Sequence, residues 1–115
     1  MTDAATVASI ALSLPGAREG SHFDTTDFRV ANKIFCTLPE RGQMVVRIST
    51  DEQAALVAEA PGTFQPVKGS YGLKGWTVVT LEHADTDQLR ELITDAWRRL
   101  APRKLLMELD QAGPS

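Results

Sequence analysis

The chain has 115 residues, of which 43% are hydrophobic and 23% charged, a composition typical of one globular domain with its own core. Its formal net charge is −3, so the chain does not belong to the strongly basic proteins whose total charge attracts nucleic acid. No apolar run approaches the ~18–20 residues that cross a bilayer, and the N-terminus lacks the features of a signal peptide. A lone cysteine, Cys36, excludes an internal disulfide. We therefore expect one domain over residues 1–115, cytoplasmic and not in a membrane.

The first part of the chain changes from a helical to a strand-like pattern. Apolar residues at the spacing of one helix face predict an amphipathic helix over 3–14, built on Val7, Ile10, Ala11 and Leu14. Pro15-Gly16 ends this helix. Between 18 and 49 the apolar period becomes two, which predicts an antiparallel meander of three or four strands. On one of these strands, alternation is expected to place Ile34, Cys36 and Leu38 on one face and Phe35 and Thr37 on the other.

A tight hairpin is predicted within this meander. The strand-like runs 28–30 and 33–38 meet across the short polar break Ala31-Asn32. Arg29 and Lys33 stand on either side of that turn. The hairpin is therefore expected to carry two cations close to its tip.

The second half alternates helices with a further pair of strands. Ser49 and Glu52 have the spacing of a capping box at a helix start. The predicted elements are a helix over 50–60, an extended segment at 64–67, a glycine-rich loop at 68–75, a strand at 76–81, helices over 85–100 and 103–110, and a frayed tail over 111–115. This order predicts an α+β fold in which helices cover an antiparallel sheet as a two-layer sandwich.

The loop at 68–75 is the strongest candidate for a binding site. It has glycine at three of eight positions, it contains Lys68 and Lys74, and residues 61–81 contain no acidic residue. Glycines permit close approach of a partner, lysines can contact phosphates, and Tyr71 or Trp76 can stack on a base. The alternatives are a plain solvated turn for the lysines and a core position for Trp76, and the core position is the stronger expectation for that residue.

The other reactive side chains are expected to be structural. His22 is predicted to be a hydrogen-bonding residue at a strand start, because no second metal-binding side chain stands beside it at ligand spacing. Cys36 is predicted to be a small buried residue, and turn chemistry accounts for Asp24 and Asp27. An enzyme would need His22, Cys36 and an acid to converge. We therefore expect no catalysis, no metal and no cofactor.

An ordered set of residues resembles the MmcQ/YjbR family. Its first part comprises 14–17, Glu19, His22-Phe23, 28–30, 33–35 and Thr37-Leu38, and its second part comprises Pro61, Phe64, Tyr71-Gly72, 75–77, Val79, Leu81, Ala96-Trp97 and Ala101-Pro102. The resemblance implies a CyaY/frataxin-like fold, a bacterial source, and DNA binding through a "double wing" of β-hairpin loops. It implies no catalytic residues. Cys36 departs from the family pattern, in which a small residue such as alanine is common at this position.

The leading hypothesis is therefore a non-catalytic DNA-binding module. Arg29 and Lys33 would form one basic wing, and Lys68, Lys74 and Trp76 the other. The alternative is a protein- or small-ligand-binding adaptor with no nucleic-acid role, which the acidic total charge favours. A contiguous positive surface across both hairpins would favour DNA, whereas a concave apolar pocket would favour a ligand.

Overall fold

A computed structural model of the protein describes residues 2–112, which contain six strands, five α-helices and a short 3-10 helix at Leu81–His83. Their bounds are α1 Ala4–Leu12, β1 Arg18–His22, β2 Thr25–Val30, β3 Lys33–Leu38, β4 Gln43–Arg47, α2 Thr50–Glu59, β5 Phe64–Pro66, α3 Ser70–Leu73, β6 Trp76–Thr80, α4 Thr86–Leu100 and α5 Arg103–Ala112. Of the predicted frayed tail, Gln111 belongs to α5, and 113–115 lie outside the described residues.

The strands form one antiparallel sheet in the order β1-β2-β3-β4-β6-β5. Helices α1 and α4 pack on one face of this sheet, and α2 packs against β5. The core lies between the sheet and these helices; it includes Phe28, Met44 and Val46 from the strands and Leu89 and Ile93 from α4. The predicted α+β architecture is confirmed, including the four-strand meander and the later β5–β6 hairpin.

Two-residue turns join the first three strands. Ala31 and Asn32 have φ values of 52° and 66°, and Phe23 and Asp24 have φ values of 48° and 64°. Positive φ at both central residues is the type I′ geometry, whose twist matches that of the paired strands. The predicted hairpin at Ala31-Asn32 is confirmed. The β1–β2 turn at Phe23-Asp24 is a second one of the same kind.

A β-bulge in β3 changes the predicted alternation. Phe28 pairs with Cys36 but the next residue, Arg29, pairs with Ile34, so Phe35 is an extra residue on β3. Phe35 and Cys36 are both fully buried, whereas Ile34 is only half-buried and lies on the opposite face. The expectation that Ile34 and Cys36 share a face is therefore wrong, because the bulge inverts the phase of the strand between them.

Helix α4 anchors the helical layer to the start of the sheet. Its N-cap, Asp85, accepts a hydrogen bond from the backbone N–H of Gln88, and its apolar stripe buries Leu92 and Trp97. The indole Nε1 of Trp97 donates to the carbonyl oxygen of Pro15 at 3.0 Å. This bond ties α4 to the turn that follows α1. Across residues 2–112, the helices are all too short or too polar to cross a membrane.

Candidate functional site

The candidate site lies on the face of the sheet opposite α1 and α4, which we call the open face. Cross-strand partners share a face, so the pairs Val45–Val78 and Arg47–Trp76 lie together there. Residues between them in sequence, such as Val46, point into the core. Trp76 is half-buried on the open face and does not belong to the core cluster. The stronger expectation for Trp76, a core position, is therefore wrong.

Three exposed lysines stand at one end of the sheet. Lys33 follows the β2–β3 turn, and Lys68 and Lys74 flank α3 just before β6 begins. Lys33 pairs with the buried Val30, which puts its Cβ on the core side of the sheet, and strand β4 lies between the two basic segments. Arg47, at the end of β4, lies between them, and its Nε donates to the carbonyl oxygen of Lys74 at 3.2 Å. The fold thus brings both predicted basic segments to the same end of the sheet.

The loop at 68–75 is more ordered than its glycine content suggests. Residues 70–73 form the single turn of α3. A Cβ atom on Gly72 would overlap the carbonyl oxygen of Val67, and one on Gly75 would overlap that of Ile48. The predicted use of the glycines, close approach of a partner, is therefore wrong for these two positions. They allow the loop to pack against its own chain.

A buried glutamine fastens this loop to α2. The Nε2 of Gln53 lies 3.1 Å from three acceptors: the carbonyl oxygens of Gly72 and Trp76, and the hydroxyl of Thr77. That hydroxyl in turn donates to the carbonyl oxygen of Gly75 at 3.0 Å. Because buried polar groups are costly without partners, this network fixes the backbone on both sides of Trp76.

A shallow cavity of about 400 Å³ occupies the centre of the open face. Its apolar walls come from four strands or their ends and from α3: Ile34, Val45, Val67, Tyr71 and Trp76. His22 and Thr37 add polar groups at its β1 and β3 side. Tyr71 is 62% exposed, so a large aromatic surface is accessible at the rim. The cavity can accept a flat, largely apolar group.

Beside the cavity lies a cluster of three ionisable side chains, His22, Asp27 and Arg29. Asp27 is fully buried. Its carboxylate accepts from the Nε of Arg29 at 2.7 Å and from the Nη2 at 3.0 Å, and it bonds to the Nδ1 of His22 at 2.8 Å. Gly20 faces this cluster, where a Cβ atom would lie 3.0 Å from an oxygen of Asp27. The assignment of Asp27 to turn chemistry is therefore wrong.

The bonds within this cluster reduce the capacity of Arg29 to bind an external anion. Two of its guanidinium nitrogens bond to Asp27, so much of its charge is balanced inside the protein. The side chain is still 36% exposed. Among the cations named from the sequence, the three lysines are therefore better placed than Arg29 to meet an external anion.

Asp27 gives the fold a testable dependence on acid. Hydrogen bonds from Arg29, and secondarily from His22, hold the pKa of Asp27 below its ordinary value of 3.8. A lowered folded-state pKa stabilises the protein above the unfolded pKa, and this contribution disappears as pH falls through the folded value. We expect Asp27→Asn to lower the free energy of unfolding by about 1–2 kcal/mol at pH 7, and the gap to the unmodified protein to shrink below pH ~4.

Urea denaturation at pH 7, 5 and 3 measures this gap. Asp24→Asn is the matched control, because Asp24 is exposed in a turn with positive φ that asparagine also tolerates. The control should follow the unmodified protein at all three pH values. A gap for Asp27→Asn that is the same at pH 3 as at pH 7 would contradict the assigned role of its charge.

The side chains that an enzyme would need lie on different faces. His22 lies beside Asp27 on the open face, whereas Cys36 is fully buried on the core face, where burial raises the pKa of its thiol. Within residues 2–112, no group of three or more His, Cys, Asp or Glu side chains is placed to hold a metal ion. The prediction that Cys36 is a buried core residue is confirmed.

Arg47 and Asp27 are site residues that the sequence prediction missed. The alternation of Met44, Val46 and Ile48 on the core face already places Arg47 on the open face, so strand periodicity could have found it. Asp27 lies one residue before the buried Phe28, so the same alternation also puts it on the open face. Its complete burial comes from Arg29 and His22, which alternation does not predict.

Comparison with protein families identifies the family of the chain. The model of the YjbR family matches residues 12–99, which is most of the chain. The chain belongs to the YjbR family. The matched region contains the lysines of the basic end, the cavity and the Asp27 cluster, so all of these belong to the YjbR domain. The predicted family resemblance is confirmed.

A solved structure has the same fold as this YjbR-family chain. The crystal structure of Deinococcus radiodurans protein DR2400, which carries the domain DUF419, superimposes with a TM-score of 0.78 at 18% sequence identity. The match covers 96% of this chain and 89% of that one. At this identity the likeness concerns the fold. No curated protein matches the chain.

Proposed function

We propose that this YjbR-family protein binds nucleic acid without catalysing a reaction, and that DNA is its partner. The observation that carries the proposal is the placement of two separate basic segments at one end of the sheet, with Lys68 and Lys74 beside Trp76 and Tyr71. Lys33, Lys68 and Lys74 are exposed and can approach phosphates. Local charge supplies the attraction here, since the total charge of −3 opposes it.

The electrostatic part of this proposal predicts a steep dependence on salt. Each phosphate that a lysine neutralises releases counterions, so the logarithm of affinity falls with the logarithm of salt concentration by about 0.9 per contact on duplex DNA. We expect Lys68→Glu with Lys74→Glu to abolish most binding at low salt. For any residual binding, the slope should be smaller by about 2. Fluorescence anisotropy of labelled oligonucleotides at about 50 and 200 mM salt measures both quantities.

A charge-matched control separates this site from total charge. Arg90→Glu with Arg98→Glu produces the same net charge, but both residues are exposed on α4, which packs on the opposite face. This control should bind almost as well as the unmodified protein. Equal losses in the two double variants would show that total charge decides binding, and an absence of binding at low salt would overturn the proposed function.

The apolar cavity favours a second candidate function, binding of a small ligand with no nucleic-acid role. Its volume of about 400 Å³ falls in the range of ~300–1,000 Å³ that is common for small-molecule sites. A planar aromatic compound that shifts the indole resonance of Trp76, together with oligonucleotides that do not bind, would favour this candidate over the first.

A further inference from the structure

The open face combines two surfaces that suit different parts of one ligand. Its centre is apolar and includes the aromatic rings of Trp76 and Tyr71, and Lys68 and Lys74 lie at its end. Flat apolar rings stack on aromatic side chains, and phosphates pair with lysines. A ligand that fits both surfaces has planar bases attached to a charged backbone.

Only an unpaired strand can present its bases to this cavity. In a duplex the base faces are stacked on one another, and proteins reach only the base edges in the grooves. A single strand can turn its bases outward onto aromatic side chains. The walls formed by Ile34, Val45 and Trp76 belong to a nearly continuous sheet surface, which is shaped for a ring face.

The backbone that carries the two aromatic side chains is held in place before any ligand arrives. Trp76 pairs with Arg47 in the sheet, and its carbonyl oxygen accepts from the buried Gln53. Tyr71 belongs to α3, which packs tightly on Val67 through Gly72. A preorganised site loses less conformational freedom when it binds.

The Asp27 cluster presents one polar group to the same cavity. Because an ionised carboxylate only accepts hydrogen bonds, Asp27 fixes the proton of His22 on Nδ1. The other ring nitrogen, Nε2, is then the polar atom that His22 offers to the cavity that it lines. Thr37 adds a hydroxyl on the same side. These groups can meet the polar edge of a base whose face lies on Trp76.

We propose that the open face is a base-stacking site for single-stranded nucleic acid, with the bases on Trp76 and Tyr71 and the phosphates at the lysine-bearing end. This inference rests on the proposed nucleic-acid function and specifies which form of nucleic acid the site takes. It locates the main contacts on the sheet surface, whereas the double-wing hypothesis locates them in the hairpin loops.

The test compares three ligands of equal length on the full chain. They are an oligothymidine of about 12 nucleotides, an abasic oligonucleotide and a duplex, the length lying within the ~4–16 nucleotides of known single-strand sites. We expect the oligothymidine to bind at least about tenfold more tightly than the other two. It should also quench Trp76, whereas the buried Trp97 should not respond.

Substitutions on the open face identify the stacking residues. Tyr71→Leu and Trp76→Leu should each weaken oligothymidine binding on the order of 5- to 150-fold, the usual loss for one stacked base, with little change in the salt slope. Tyr71→Phe and Trp76→Phe keep the ring and should restore most of the affinity. Tyr71 is 62% exposed, so its substitution leaves the core intact and gives a result even if a Trp76 variant folds poorly.

The outcomes separate the two proposals. Binding of the duplex as tightly as the oligothymidine would overturn the single-strand inference and leave the proposed function standing. Oligothymidine binding that survives both leucine substitutions, or equals abasic binding, would do the same. An absence of binding to all three ligands would overturn both proposals. Self-association through this face, seen as a dimer by light scattering that Tyr71→Leu and Trp76→Leu abolish, would also overturn the inference.

Discussion

Replacement of Gly75 by alanine is expected to lower the free energy of unfolding by on the order of 4 kcal/mol, because two separate penalties meet at this residue. Its φ of +100° lies in the left-handed region that L side chains rarely adopt. An added Cβ atom would also overlap the carbonyl oxygen of Ile48 in the neighbouring strand connection. The amide N–H of Ile48 donates to the carbonyl oxygen of Gly75 at 3.0 Å, so any shift also strains this bond.

Three other glycines separate the two penalties. Gly42 has a φ of +81° but open space around its Cβ position, Gly72 has the overlap without a positive φ, and Gly62 has neither. Alanine should therefore cost about 1 kcal/mol at Gly42, about 2–3 at Gly72 and close to zero at Gly62. Urea denaturation followed by circular dichroism ranks the four variants. If Gly75→Ala is as stable as Gly62→Ala, the close packing of the loop at 68–75 is wrong.

The second large effect is expected at Trp97. Trp97→Ala removes a fully buried ring and leaves the carbonyl oxygen of Pro15 without its indole donor, so a loss of about 3–5 kcal/mol is expected. Trp97→Phe keeps most of the ring and should lose roughly 1–3 kcal/mol through a smaller cavity and the missing hydrogen bond. The same denaturation experiment measures both variants.

An exposed apolar residue provides the comparison for Trp97. Leu73 is 82% exposed at the end of α3, so Leu73→Ala should change stability by less than about 0.5 kcal/mol. A loss at Trp97→Phe no larger than that at Leu73→Ala would show that the Pro15 bond does not contribute. Because the chain has two tryptophans, Trp97→Phe also leaves Trp76 as the only indole for fluorescence titrations.

Local sequence patterns predicted most of the fold, because local chemistry specifies each element. Ser49 caps α2 as its position predicts, and Ala31-Asn32 adopts the turn that a two-residue hairpin requires. The bulge at Phe35 could not be predicted from alternation, since it depends on how β2 and β3 fit together. This one extra residue reverses the alternation, so Ile34 lies on the open face and does not share the core face with Cys36.

Sequence patterns predict the charged residues of the candidate site but not how the fold arranges them. Lys33, Lys68 and Lys74 lie at one end of the sheet. They meet there because β4 pairs with β6, and this long-range pairing cannot be read from local patterns. The apolar strand that follows Trp76 favours a core position, but the strand register places Trp76 on the open face. Burial of Asp27 depends on His22 and Arg29, which converge only in the folded sheet.

The complete burial of Cys36 makes it a reporter of opening. It is the only thiol in the chain and lies on an interior strand of the sheet, and burial raises its pKa, so a thiol reagent meets neither accessible sulfur nor thiolate while the protein is folded. When opening and closing are fast, the rate of modification at low denaturant follows the population of open molecules. The native sequence therefore carries its own label for measuring how often the centre of the sheet separates from α4.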